Sequence, residues 1–277
     1  MGWDASLELD FRAAAGVTHL ARRAHRGPLY VQRPFAPEGA EGGVCHVYLL
    51  HPPGGLVGGD AVAVEIAVGE GAAVLVTTPS AGKAYRTRGL PVGQRSHLKV
   101  AANGSLEWLP QEMIVYNGAD ATLDTRVTLA VGARFVGAEM ICFGLPARNE
   151  PFARGTCQQV LEIHRDGVPL LIERARFVGG GPGQTSRWGL GGATVLALLT
   201  AAPAPAPAIV DELRTLASAA PAEDRGAVTV LGDGDLLVCR YLGASAERAR
   251  TFQQAVWRCL RPGLLGRAAV PPRIWAT

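Results

Sequence analysis

Three times between residues 68 and 135 the chain repeats one short path: an aliphatic residue, a tight turn, a glycine, a small residue and a new strand. The copies are Val68-Gly-Glu-Gly71-Ala-Ala-Val74, Val100-Ala-Ala-Asn-Gly104-Ser-Leu106 and Leu129-Ala-Val-Gly132-Ala-Arg-Phe135. Their glycines are spaced by roughly thirty residues, a period at which β coils can stack. Alternating runs join these turns. Val62, Val64, Ile66 and Val68 share one face of a strand, and Leu123, Thr125, Val127 and Leu129 share a face of another. Glycine turns also punctuate ordinary antiparallel sheets, so the pattern alone admits a β-solenoid or a sandwich.

The chain can fill such a body. Of 277 residues 48% are hydrophobic and 18% charged, which supports a sizeable core and argues against disorder. Cys157 to His164, the turn Asp166-Gly167 and Val168 to Phe177 predict a hairpin. After the glycine-rich stretch that begins at Gly179 the pattern changes. The alternating Ala-Pro run from Ala202 to Ala208 is a stiff connector into a helix expected over 209–219. A hairpin through Gly232-Asp-Gly234 follows, then a last helix capped by Ser245 and ended by Arg261-Pro262-Gly263. The expected organisation is a β-solenoid-like body over 1–192 and a small α/β part, helix–hairpin–helix, over 193–277.

Several function classes fit poorly. Twenty-seven basic against 24 acidic residues give +3, too little to point to nucleic acid, and no stacking aromatics are interleaved with Arg22, Arg23 and Arg26. The apolar stretch from Val195 to Ala202 is far short of the roughly 18 residues a membrane-spanning helix needs. The acidic N-terminus has no apolar signal core, so the expected setting is cytoplasmic. Five cysteines without C-x-x-C spacing suggest neither a disulfide framework nor a structural zinc knot. Phosphate-loop, nucleophile-elbow and zincin signatures are missing.

What remains is unusual chemistry in three places. His51-Pro-Pro-Gly-Gly-Leu-Val-Gly-Gly-Asp60 packs Pro52, Pro53, Gly54, Gly55, Gly58 and Gly59 into one loop that ends on an acid at a strand threshold. The segment Thr77-Thr-Pro-Ser-Ala-Gly-Lys-Ala-Tyr-Arg86 gathers hydroxyls with Lys83, Tyr85 and Arg86; the only other lysine is Lys99. Glu139 and Glu173 are embedded in apolar strands, where a carboxylate needs a partner or a purpose. The bland reading pairs Glu173 with Arg174 or Arg176; the sharper one is a polar channel through the β body. The acids of Leu106-Glu-Trp-Leu-Pro-Gln-Glu112 read as those of a strand end at a proline.

These blocks, taken in order, resemble the urease accessory protein UreD (UreH) family. So do Gly27-Pro-Leu-Tyr-Val-Gln-Arg-Pro-Phe35 with Pro37-Glu-Gly39 near the start, and Pro272-Arg-Ile-Trp-Ala-Thr277 at the end. The resemblance covers essentially the whole chain. It departs near the middle, in Gly144-Leu-Pro-Ala-Arg-Asn-Glu150, where Leu145 replaces the family's arginine and Asn149 a glycine. Glu150 is kept, and Arg148 is the candidate for the missing arginine's role.

The resemblance implies a non-enzymatic scaffold: a β-helical body of two stacked sheets with a small helical part. It implies that the chain binds urease apoprotein, UreF and, through UreF, the GTPase UreG. It also implies nickel in transit, with no cofactor tightly bound, along a path where Asp60, Glu139 and Glu173 match acidic tunnel positions. The loop residues named above, with Lys83, Tyr85, Arg86 and Glu150, are the corresponding partner or structural positions. The terminal helix and its Pro-Arg-Ile-Trp tail are a further contact candidate, with ordinary packing the alternative reading of Trp257 and Trp275. A polysaccharide-active β-solenoid enzyme is the alternative. It needs two carboxylates about 5–10 Å apart across one cleft and an aromatic groove, and aromatic residues are only 6%.

Overall fold

The computed structural model describes residues 2–39 and 43–276. Strands come in chain order: β1 Asp4–Ala14, β2 Val17–Arg26, β3 Tyr30–Val31, β4 Val44–Leu50, β5 Ala61–Val68, β6 Ala73–Thr77, β7 Gly82–Ala84, β8 Val92–Val100 and β9 Ser105–Leu109. There follow β10 Met113–Val115, β11 Ala119–Leu129, β12 Arg134–Leu145, β13 Glu150–Pro151, β14 Gly155–Arg165 and β15 Val168–Val178. The rest are the single-turn α1 Pro182–Thr185, β16 Val195–Ala202, α2 Pro207–Ser218, β17 Arg225–Leu231, β18 Leu236–Gly243 and α3 Ala246–Leu265.

Parallel pairing decides between coil and sandwich. In the first sheet β1, β5, β8, β11 and β14 are successive parallel neighbours, with β2 and β15 antiparallel at the edges. In the second, β4, β6, β9 and β12 are parallel. Each repeated glycine turn carries the chain from one sheet to the other. Ala73, Ser105 and Arg134 therefore stack coil on coil, and the turns stack too, Ser105 N–H donating to Ala72 and Arg134 N–H to Gly104. β7, β10 and the end of β12 form a short third side. This is a β-solenoid.

The coils stack because inward positions carry aliphatic ladders. Leu9, Ile66, Leu98, Val127 and Ile163 are register partners across five strands of the first sheet, each at most 2% exposed. A side chain so buried contributes about 1.5–3 kcal/mol relative to exposure. Residues 193–276 extend the body's second sheet: β16, β18 and β17 add antiparallel beyond β12, and α2 and α3 cover its outer face over a second apolar core. Among the described residues no helix is long and apolar enough to cross a membrane.

Local predictions fare well at turns and worse at helix ends. Asp166 and Gly167 take φ of 48° and 80°, the pair of left-handed residues that a tight β14–β15 hairpin requires. Ser245 Oγ accepts the Arg248 N–H at 3.2 Å, as a cap should. The last helix, however, does not stop at Pro262. It runs through the proline to Leu265 and ends on Gly266 at φ 68°. The proline forfeits one intrahelical bond, and the buried Arg261 beside it, bonded to Glu107, Glu38 and Ala268 O, holds the turn in place.

Candidate metal passage

Two inward ladders change chemistry across the first sheet. One runs Leu7, Val64, Ser96, Thr125, Leu161 and Glu173; its neighbour runs Val62, Gln94, Leu123 and Gln159. Aliphatic rungs on β1 and β5 thus give way on β8 to β15 to mostly polar ones, interrupted by Leu123 and Leu161. From the opposite sheet β12 contributes Glu139, which sits deep in the molecule and keeps accessible surface toward a cavity of about 80 Å³. Gln159 Nε2 donates to Glu139 Oε2 at 2.6 Å. Burial pushes the Glu139 carboxyl above the usual range, against the hydrogen bonds of Thr125 and Gln159, and the charges of Glu173 and Asp124 push the same way. Gln159 is 3% exposed and its Oε1 has no partner. Among the described residues no cation contacts Glu139 itself, whereas its neighbours Glu173 and Asp124 are paired with Arg240 and Arg126.

A second cavity, of about 350 Å³, adjoins it: Gln94, Trp108 and Met113 line both. It reaches the surface at His51, Pro52, Gly54 and Gly55 and also touches Lys83. The proline–glycine loop is therefore the rim of an opening. Gly54 N–H closes a turn onto His51 O at 2.9 Å, and Leu56 donates its N–H to Lys83 O at 2.6 Å and accepts the Tyr85 N–H at 2.9 Å. At Gly55 a Cβ would lie 2.5 Å from the Tyr85 ring, and at Gly58 2.5 Å from Thr87 O, so the close approach admits only glycine. Gly59 has φ 90°.

The predicted site residues divide. Glu139 and Glu173 both face the interior. Glu173 pairs neither with Arg174 nor with Arg176, which lie on the exposed face of β15; its partner is Arg240 on β18, and Arg174 reaches Glu162 instead. Asp60 lies apart, at the end of the proline–glycine loop, and lines neither cavity. It is 3% exposed and both oxygens are taken by backbone donors, Trp3 N–H at 2.7 Å and Val57 N–H at 2.8 Å. Its charge still acts on His51, whose pKa burial lowers and Asp60 opposes. Tyr85 packs on Tyr116 with ring centroids 4.8 Å apart, and Arg86 lies along Gly118. Burial raises the Tyr116 hydroxyl, with Tyr85, Arg148 and the exposed Glu150 acting on it electrostatically. Asn149 takes φ 56°, so the left-handed position that suits a glycine is kept by a residue that tolerates it.

The sequence reading passed over two acids. Glu107 and Glu112 are no mere strand end, because both are buried and ion-paired to α3. Glu107 accepts from Trp257 Nε1 at 2.6 Å and from Arg261 at 3.0 Å, and both oxygens of Glu112 accept from Arg250 at 2.7 Å. Gln94, Ser96 and Gln159 were also missed; inward positions of alternating strands were the available signal. Among the described residues no cluster of three His, Cys, Asp or Glu is placed to hold a metal ion. Buried Cys157, next to Gln159 along the inner face of β14, has its thiol pushed up to about 12 by burial, with the charge of Glu139 adding to it. It stays protonated and is a poor ligand.

Comparison with known proteins adds to this geometry. The family model described as "UreD urease accessory protein" matches residues 4–276. The chain is 43% identical over 276 residues to a protein named urease accessory protein UreD from Alkalilimnicola ehrlichii, covering 100% of this chain and 92% of that one. Proteins of the same name from Azoarcus sp. and Pseudomonas putida are 45% and 44% identical over 278 residues, covering 100% of this chain and 95% of each relative. All three carry the name of an accessory protein, not of a reaction.

Proposed function

Because this chain belongs to the UreD family of urease accessory proteins, we propose that it serves urease maturation as a scaffold through whose body nickel passes. The partners would be urease apoprotein, UreF and, through UreF, UreG, with the cytoplasm as the setting. Nickel is cargo here, entering at the rim from His51 to Gly55 and moving by way of Gln94 and Thr125 to Glu139 and Glu173.

One observation carries this reading: Glu139 lines a cavity of about 80 Å³, room for several waters, and is bonded to Gln159, whose Oε1 has no partner, while among the described residues no cation contacts Glu139. A carboxylate in that position gains from an incoming divalent cation, which takes the place of its proton. Carboxylate, amide and hydroxyl oxygens hold nickel less firmly than imidazole or thiolate, so the ion can leave again. Asp60 serves the path indirectly, by fixing the rim.

The test is co-expression of urease and the accessory proteins with this chain, with its Glu139→Gln variant, and without it. Expected are unchanged co-purification of the variant and a several-fold lower nickel content of urease. Wild-type nickel content with Glu139→Gln would remove the passage, and full nickel loading without the chain would remove the scaffold.

A further inference from the structure

Two segments from opposite ends of the chain build an open groove. Arg33, Phe35 and Pro37 form one wall, Arg273 and Ile274 the other, with Tyr48 between them, around a volume of about 690 Å³. The rings of Phe35 and Tyr48 stack with centroids 5.0 Å apart and planes 27° apart. The Arg33 guanidinium lies 5.1 Å above the Phe35 ring. Arg33 and Arg273 are both exposed, and among the described residues neither pairs with an acid and no carboxylate lines the groove.

The acid closest in sequence is committed elsewhere. Glu38 has a side chain only 7% exposed, bonded to His46 Nε2 at 2.8 Å and to Arg261, which in turn grips Glu107. It cannot neutralise Arg33 or Arg273. The same buried chain of charges stiffens the groove. His46 and Phe35 exchange backbone hydrogen bonds at 2.8 Å each, which fixes the first wall. The second is fixed by Trp275, whose Nε1 donates to Thr77 Oγ1 at 2.9 Å and whose ring meets Trp257 edge-on at 5.5 Å. A rigid aromatic shelf between two uncommitted guanidiniums needs little ordering when a ligand binds.

We propose that this groove docks an extended acidic segment of a partner protein. One aromatic or aliphatic side chain of that segment lies on the Phe35–Tyr48 shelf, and its flanking carboxylates take Arg33 and Arg273 through paired N–H···O bonds. The charge requires an acidic ligand, and the short shelf favours a peptide. Single-stranded nucleic acid would need a longer basic track with successive stacking rings. The proposal deepens the scaffold reading, and rests on it only for the identity of the partner as a component of urease maturation.

The first experiment uses the full chain and a fluorescein-labelled peptide, Gly-Asp-Asp-Phe-Leu-Asp-Asp-Gly, followed by anisotropy. Saturable binding is expected, at least tenfold weaker when the aspartates become asparagine and lost in Arg33→Glu/Arg273→Glu. Both side chains are exposed, so the variant should melt like the wild type. Absence of binding up to millimolar peptide, binding indifferent to the double variant, or tighter binding of oligo(dT) that the variant abolishes would each overturn the proposal. The second experiment repeats the urease co-expression with the double variant. Reduced co-purification of an accessory partner is expected, where Glu139→Gln leaves co-purification intact. Wild-type assembly and activation by the double variant would sink the groove and leave the scaffold reading standing. Full activation without the chain would sink the scaffold reading instead.

Discussion

The two faces of the second sheet treat carboxylates in opposite ways. On the outer face, under α3, Glu107 is gripped by Arg261 and Glu38 joins the same pair; Glu112, in the connection between β9 and β10 and at the edge of the Glu139 cavity, is gripped by Arg250. On the inner face Glu139 has only an amide and a hydroxyl for partners, with the charges of Glu173 and Asp124 pressing on it. Glu38 shows the contrast most clearly. Burial would raise its pKa, yet the hydrogen bonds of His46 and Arg261 outweigh burial and hold it below 4.5. For Glu139 burial wins. An acid neutralised inside the protein fastens parts together, whereas one left without a countercharge is available to a cation from outside.

The largest test of that contrast is Arg261→Ala. The arginine is fully buried, and removing it strands Glu107 without a countercharge and leaves Glu38 with only His46 and an Arg267 4.0 Å away. A loss of about 3–5 kcal/mol is expected, read as a lower denaturant midpoint at unchanged slope. A loss below about 1 kcal/mol, the range of exposed pairs, would mean that the outer acids fasten nothing.

Removal of charge on the inner face should act with the opposite sign. Glu139→Gln keeps the shape and removes the cost of ionising a carboxyl deep in the molecule, so a gain of about 1–3 kcal/mol is expected at pH 7–8. The sign with pH follows from linkage. The folded pKa of Glu139 lies above its unfolded value near 4.5. Wild type and variant should therefore match in stability below that pH. The gap opens as pH rises and levels off beyond the folded pKa. Glu38 behaves in the reverse sense: its stabilisation is present above 4.5 and is lost as pH falls through its lower folded pKa. Equal stability of Glu139→Gln and wild type across pH 4–9 would show that the inner acid is compensated after all.

How much of this the chain announces depends on the range of the signal. The glycine turns, the Asp166-Gly167 hairpin and the Ser245 cap are local and were legible. That the strands pair in parallel was not, because period-two alternation is the same in a coil and a sandwich; the family resemblance pointed to the coil. Glu139 stood out as an acid among apolar residues. Its partner Gln159 did not, since only the parallel register of β11 with β14 brings that amide to it. Glu107 and Glu112 were misread because their partners on α3 lie more than a hundred residues away.

A middle case is Asp60, paired to no arginine yet fully engaged. Its oxygens satisfy the buried N–H groups of Trp3 and Val57, so Asp60→Ala should lose about 1–2 kcal/mol. Asp60→Asn, which keeps an acceptor, should recover part of that. If nickel transfer to urease falls in Asp60→Ala and returns with Asp60→Asn, the residue works by holding the rim. Transfer that stays low with asparagine at full stability would show that the charge itself matters and would place Asp60 with Glu139.

The smallest effect isolates burial from pairing. Asp211 and Arg214, one turn apart on α2, make a 2.9 Å ion pair with side chains 72% and 56% exposed. Asp211→Ala removes the same kind of contact as Arg261→Ala, but water already solvates both partners and neither charge is stranded when the other is lost. The expected change is at most about 0.5 kcal/mol, and it should shrink further in 0.5 M salt. The Glu107–Arg261 pair should lose little in that salt, because ions cannot reach it. Should Asp211→Ala cost as much as Arg261→Ala, pairing alone would set the energy. The uncompensated state of Glu139 would then be no guide to where a cation travels.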